Sequence, residues 1–118
     1  MSLADTLQQV IDDLEESRGV ALVGMDGIVV EERKRDEQLD LQALGAEFSG
    51  LLKTVGKLSD SVGFGGIVEL VTSAERSTMI LRQVTADYFV IFVIQADGNL
   101  GKARFLLRRA ATLLKTEL

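Results

Sequence analysis

A chain of 118 residues that is 47% hydrophobic and only 5% aromatic has material for one aliphatic core and not for two, so residues 1–118 are expected to form a single domain. Its formal charge of −5 argues against nucleic acid and bare anionic membrane as partners, because both call for a basic surface. With no cysteine and no histidine, the chain lacks thiolates, the commonest metal ligand and the commonest general base. It is therefore not expected to be an enzyme, and no metal or cofactor is expected.

From the N-terminus, Leu3, Leu7, Val10, Ile11 and Leu14 recur at spacings of three and four, an apolar stripe that predicts a helix stopped near Gly19. No basic stretch and apolar run of the secretory kind opens the chain, so a cytoplasmic place is expected. Two β-branched runs, Val20–Gly24 and Ile28–Glu32, flank Met25-Asp26-Gly27, which predicts an antiparallel hairpin turning at Asp-Gly. The charged run Glu31–Glu37 carries both signs in near balance and reads as an exposed strand end and loop.

Leu41, Leu44, Phe48, Leu51, Val55, Leu58 and Val62 then keep a 3-4-3-4-3-4 spacing, which predicts a long amphipathic helix. A second, narrower stripe of mostly small residues lies beside it: Gly45, Ser49, Leu52 and Gly56. Each interior glycine costs a helix about 1 kcal/mol relative to alanine. Close approach of another helix would offset that cost, and so would tight packing on the helix's own sheet; the spacing does not separate the two. A third face holds Ala46, Gly50, Lys53 and Lys57, a shallow positive strip suited to a partner with acidic side chains, or simply a solvated face.

Three β-prone runs follow, Ile67–Thr72, Thr78–Val84 and Tyr88–Ile94, with short polar loops that imply consecutive antiparallel pairing. Phe89–Ile94 is apolar on both faces and should lie mid-sheet; it is far too short to span a bilayer. Ile67–Thr72, with Glu69 among apolar neighbours, reads as an edge or interface strand. Asp97 or Asn99 can cap a last helix with the stripe Leu100, Ala103, Leu107, Ala110, Ala111 and Leu114. The first helix is acidic and the last basic, so the two are suited to lie side by side.

The chemistry-bearing motifs are few. Gly63-Phe64-Gly65-Gly66 has a helix before it and a strand after it, the reverse of a phosphate-binding loop. Ser59 and Ser61 have no histidine to activate them and suit helix-end and turn roles. Arg76, between two strands, is the most exposed candidate for an arginine delivered to a GTPase, and nothing in the sequence sets it apart from a surface arginine.

The order α-β-β-α-β-β-β-α resembles the roadblock family, also called the dynein light chain roadblock type. The residues that carry the resemblance are Gly19–Val30 at the hairpin, the long helix from Leu41, and Asp97-Gly98-Asn99-Leu100-Gly101-Lys102-Ala103-Arg104 at the entry to the last helix. The resemblance implies an α+β fold: a single five-stranded antiparallel sheet with the long helix on one face and the two terminal helices on the other. It also implies a homodimer or heterodimer in which the long helices pair and the third strands join edge to edge into one continuous sheet, and a homodimer is expected here. Gly45, Ser49, Leu52, Gly56, Ile67, Glu69 and Val71 would then form the dimer interface, and Ala46, Gly50, Lys53 and Lys57 the partner-binding strip. The function implied is a non-catalytic scaffold that binds and regulates a small Ras-like GTPase, as bacterial members do when they accelerate GTP hydrolysis by arranging the GTPase's own residues. This chain is shorter than those members, which weights the expectation toward binding over activation. The alternative is a small-molecule sensory domain of similar architecture; a sensor needs polar or aromatic groups in its pocket, whereas the inward stripes here are nearly all aliphatic.

Overall fold

The computed structural model describes residues 1–118. Helix α1 (Leu3–Asp13) starts at Ser2, whose hydroxyl accepts from the Asp5 N–H while the Asp5 carboxylate accepts from the Ser2 N–H, a reciprocal cap for two otherwise orphaned donors. The helix ends before the expected Gly19, and the reason lies far along the chain. Arg35 reaches back to donate to the carbonyls of Ile11 (2.8 Å) and Leu14 (3.1 Å), and also to that of Glu15. These are the orphaned acceptors of a helix C-terminus, here closed by a side chain. Gly19 instead lies within β1 (Ser17–Gly24), where a Cβ would sit 2.7 Å from the Leu39 side chain.

β1 turns through Met25-Asp26-Gly27 into β2 (Val29–Lys34), with Gly27 at φ +88° and the Asp26 carboxylate accepting from the Ile28 N–H. After α2 (Leu41–Ser61) come β3 (Glu69–Ser73), β4 (Ser77–Thr85) and β5 (Tyr88–Gln95), and then α3 (Leu100–Glu117). All pairings are antiparallel and the strand order is β2-β1-β5-β4-β3. The N-terminal hairpin thus docks on the C-terminal meander through β1 and β5, with Val20 opposite Phe92. β5 is central, as its two apolar faces require.

Alternation along β5 sends Val90, Phe92 and Ile94 to one face and Phe89, Ile91 and Val93 to the other. On the first face they pack with Leu7, Val10, Ile11 and Leu14 of α1 and with Ala103, Leu107, Ala110 and Leu114 of α3. On the second they pack with Leu41 and Leu52 of α2. The fold is therefore α+β with the terminal helices on one side of the sheet and the long helix on the other. Asn99 caps α3 by accepting from the Lys102 N–H, and Arg109 pairs with Asp13 across the terminal helices at 2.9 Å. No helix is long and apolar enough to cross a membrane.

Candidate functional site

Helix α2 decides the site, and its faces are not disposed as the small-residue stripe suggests. Asp40 caps it by accepting from the Ala43 N–H. Leu41, Gly45, Ser49 and Leu52 are its buried residues. A Cβ on Gly45 would lie 3.1 Å from Val23 and 3.4 Å from Val29, so this glycine lets the helix settle on β1 and β2 of its own chain. Ser49 is buried and turns its hydroxyl to the Ala46 carbonyl. Gly45, Ser49 and Leu52 are therefore corrected from an outward face to the intrachain one. Gly56 differs: it is half-buried and a Cβ there would meet nothing, because it borders an open groove with Leu52, Lys53 and Ile67.

The larger apolar stripe is the one left open. At about 100° per residue it sits roughly a quarter turn from the buried face. Leu44 and Phe48 are half-buried against the core below, but Leu51, Leu58 and Val62 are 41%, 65% and 55% exposed, and Phe64 just beyond the helix is 81% exposed. Val55, Leu58, Val62, Phe64 and Ile67 together line an open, almost wholly apolar groove. So long a run of exposed apolar residues on one flank is uncommon on a monomer's surface.

β3 adds an open sheet edge beside it. The Gln83 N–H donates to the Val68 carbonyl, and Ala74 pairs with Ser77 in the same register; the alternation therefore turns the backbone groups of Glu69, Val71 and Ser73 outward. The opposite edge, β2, is guarded by Glu31, Glu32, Arg33 and Lys34, whereas Glu69 is the one charged residue of β3. That charge is not free: the Glu69 carboxylate accepts from Arg104 of α3 at 2.7 Å, and this hydrogen bond holds its pKa below the ordinary value while raising that of Arg104. The Glu69 side chain is thus bound within the chain, and only its backbone faces the edge. Val71 is 36% exposed on the same strand face, and Ile67 lies just before β3, half-buried beside α2.

The lysine strip lies on the other flank of α2. Ala46, Gly50, Lys53 and Lys57 are all exposed, and neither lysine has a salt-bridge partner. Ala46 borders the β1–β2 turn, since a Cβ on Gly27 would come within 3.2 Å of it. At the other candidates, Ser59 donates to the Gly65 carbonyl at 2.6 Å and Ser61 to the Leu58 carbonyl at 2.7 Å, so both hydroxyls close the helix end. Gly63 and Gly65 have φ of +80° and +82°, which makes their loop a turn. Arg76 is exposed in the β3–β4 turn. No group of three or more Asp or Glu is placed to hold a metal ion.

Sequence reasoning passed over three features. One is the outward leucine flank of α2, visible in the sequence as a stripe but not recognised as an open surface. Another is an open groove of about 280 Å³ at the hairpin end, lined by Met25, Asp26, Ile28, Val30 and Tyr88. The last is Phe105, 58% exposed on α3, whose signal was its position off that helix's apolar stripe.

One open, apolar helix flank thus lies beside one sheet edge that carries little charge. No family model matches the sequence, and a search of curated proteins finds no match. Among solved structures, MglC from Myxococcus xanthus is 32% identical over all of both chains, with a TM-score of 0.72. Myxococcus xanthus MglB is 15% identical, covering 97% of this chain and 92% of that one, with a TM-score of 0.89. A Roadblock/LC7 domain from Streptomyces avermitilis is 11% identical over 99% and 98% of the two chains, with a TM-score of 0.88. The latter two share the fold; the identity with MglC carries the relationship further. The chain belongs to the roadblock family.

Proposed function

We propose that the protein is a non-catalytic homodimeric platform, placed in the cytoplasm, that binds and regulates a small Ras-like GTPase. The observation that carries this reading is the exposed apolar flank of α2 lying next to a β3 edge without protective charges. Pairing two chains there covers Leu51, Leu58, Val62 and Phe64 and completes the backbone hydrogen bonding of Glu69, Val71 and Ser73 in one ten-stranded sheet. Gly56 lies at the border between this interface and the lysine flank, in the groove it shares with Lys53 and Ile67, while Gly45, Ser49 and Leu52 support the interface from below. The GTPase is assigned to the opposite flank, at Ala46, Gly50, Lys53 and Lys57, which dimerisation leaves open on each chain. Lysines there would draw in an acidic partner surface and act mainly on the association rate. Against a sensory role, the layer between α2 and the sheet is filled by Leu52, Leu81, Phe89 and Ile91 rather than by a polar chamber.

The test mixes the protein with the Ras-like GTPase of its source organism, loaded with a GTP analogue, and compares wild type with Lys53→Glu/Lys57→Glu by calorimetry. A loss of affinity of at least tenfold, about 1.4 kcal/mol, with the dimer intact supports the assignment. Unchanged affinity moves the GTPase off the lysine flank, and absence of wild-type binding overturns the GTPase reading. GTP turnover measured in the same mixtures decides whether regulation includes activation.

A further inference from the structure

Helix α3 carries a basic flank that the reading above leaves unused. At about 100° per residue, Arg104, Arg108, Ala111 and Lys115 fall within roughly 60° of one another, on the side turned to β3. The opposite side, turned to α1, holds Arg109, whose charge is already met by Asp13. Because α3 packs over β4 and β5, the face of β3 beside it is left uncovered, with Val71 exposed there. The result is a shelf one strand wide, running along the foot of the helix.

Charge on this shelf is out of balance. Glu69 is the one carboxylate of β3 and β4, and Arg104 grips it through Nε at 3.2 Å and Nη2 at 2.7 Å. Arg82 lies opposite Glu69 in the β3–β4 ladder and so shares its face, and Arg108 follows Arg104 by one helical turn. The hydrogen bond from Arg104 and the nearby charges of Arg104, Arg82 and Arg108 together hold the Glu69 carboxyl below its ordinary pKa. Neither Arg82 nor Arg108 has an ion-pair partner of its own. Three guanidiniums therefore surround one carboxylate, in a chain whose net charge is −5.

We propose that this shelf, walled by Arg104, Arg108 and Lys115 and floored by Arg82 and Val71, docks an acidic peptide segment of another protein. Carboxylates of the segment pair with Arg82 and Arg108, whose planar forks suit them, and its apolar side chains lie on Val71. Arg104 and Arg108 stand about 6 Å apart along the helix, close to the roughly 6.7 Å between alternate residues of an extended chain. From Arg104 to Lys115 the stripe runs about 16 Å, room for about five extended residues. So small a contact, carried by charge, is weak and sensitive to salt. An anionic membrane fits less well, because the shelf is recessed beside α3 and the same face presents Asp5, Asp12 and Glu15 of α1, all exposed. The shelf is complete within one chain and uses the side-chain face of β3 rather than its backbone edge. It therefore stands apart from dimerisation, and from the lysine flank of α2 on the other face of the sheet.

Fluorescence anisotropy of a dye-labelled peptide of Glu-Glu-Leu repeats, titrated with the full chain at low salt, tests this. The wild type should bind the peptide, and about 0.5 M NaCl, where the Debye length falls to about 4 Å, should weaken binding at least tenfold. A Gln-Gln-Leu peptide should not bind. Arg108→Glu, at an exposed position of α3, should weaken binding at least tenfold with an unchanged circular dichroism spectrum, and Arg82→Gln should weaken it in the same direction. Glu69→Gln, which frees Arg104, should tighten it. Leu58→Asp and Lys53→Glu/Lys57→Glu should leave it within threefold of wild type, so that failure of the dimer or of the lysine flank does not touch this result. Absence of wild-type binding, or equal binding by Arg108→Glu, overturns the inference. A loss confined to Lys53→Glu/Lys57→Glu, or one in Leu58→Asp as large as in Arg108→Glu, overturns it too, by moving the peptide to α2 or to the dimer junction. Phosphatidylserine vesicles that bind through Arg108 when the peptide does not overturn peptide docking in favour of a lipid surface.

Discussion

Truncating Leu58 to alanine should separate dimerisation from folding. Leu58 is 65% exposed, so its side chain contributes little to the core of its own chain. Fully burying a leucine is worth about 1.5–3 kcal/mol, so covering the open two thirds yields roughly 1.5 kcal/mol per chain. In a two-fold interface both copies lose it, about 3 kcal/mol in all, which weakens the dimer by roughly two orders of magnitude. Leu58→Asp should do more, since it would leave an unpaired carboxylate in the interface. The assay is sedimentation equilibrium over a dilution series, with circular dichroism as the check that the α+β fold persists. Leu52→Ala is the contrast: Leu52 is 4% exposed in the core under α2, so its loss should destabilise the chain itself by about 2–5 kcal/mol. A dimer constant for Leu58→Ala within threefold of wild type would refute the assignment of this flank.

Glycines in α2 should respond in opposite directions: Gly50→Ala, in open space, should raise the urea midpoint by an amount equivalent to about 1 kcal/mol, while Gly45→Leu should unfold the chain against Val23 and Val29. Arg35→Ala removes the cap on the last carbonyls of α1 and should cost about 1–3 kcal/mol in equilibrium unfolding, with amide exchange rising first near Leu14; unchanged stability would mean that water closes the helix end equally well. The Glu69 carboxyl, held below its ordinary pKa by Arg104, contributes stability that is complete above the ordinary glutamate range and lost as pH falls through the depressed value. Glu69→Gln should therefore lower the urea midpoint at pH 7 more than at acid pH, and an equal drop at both would remove the pair from the pH dependence. Asp36, lowered by its hydrogen bond from Arg18, should act with the same sign.

Much of the fold was legible because it rests on periodicity. A 3.6-residue repeat marks a helix wherever it occurs, a run apolar on both faces marks the strand that must be covered twice, and Asp-Gly between β-branched runs marks a hairpin. β5 at the centre, β3 at an edge and the capping of α3 by Asn99 all follow from residues near in sequence. The end of α1 was not legible, because its cap is supplied by Arg35 more than twenty residues away.

The candidate site was legible only as a choice of helix. Sequence by itself determined that α2 carries a large apolar stripe, a small-residue stripe and a lysine strip, since these depend on spacing alone. Which stripe meets the sheet was decided by the approach of Val23 and Val29 to Gly45, a contact that depends on the height of the helix above β1 and β2. Spacing likewise could not show that the Glu69 side chain is held by Arg104, brought to it by the packing of α3 across 35 positions of sequence. Periodicity specifies which residues share a face, but the direction in which a face points is set by the partner it meets. Only the tertiary structure supplies that partner.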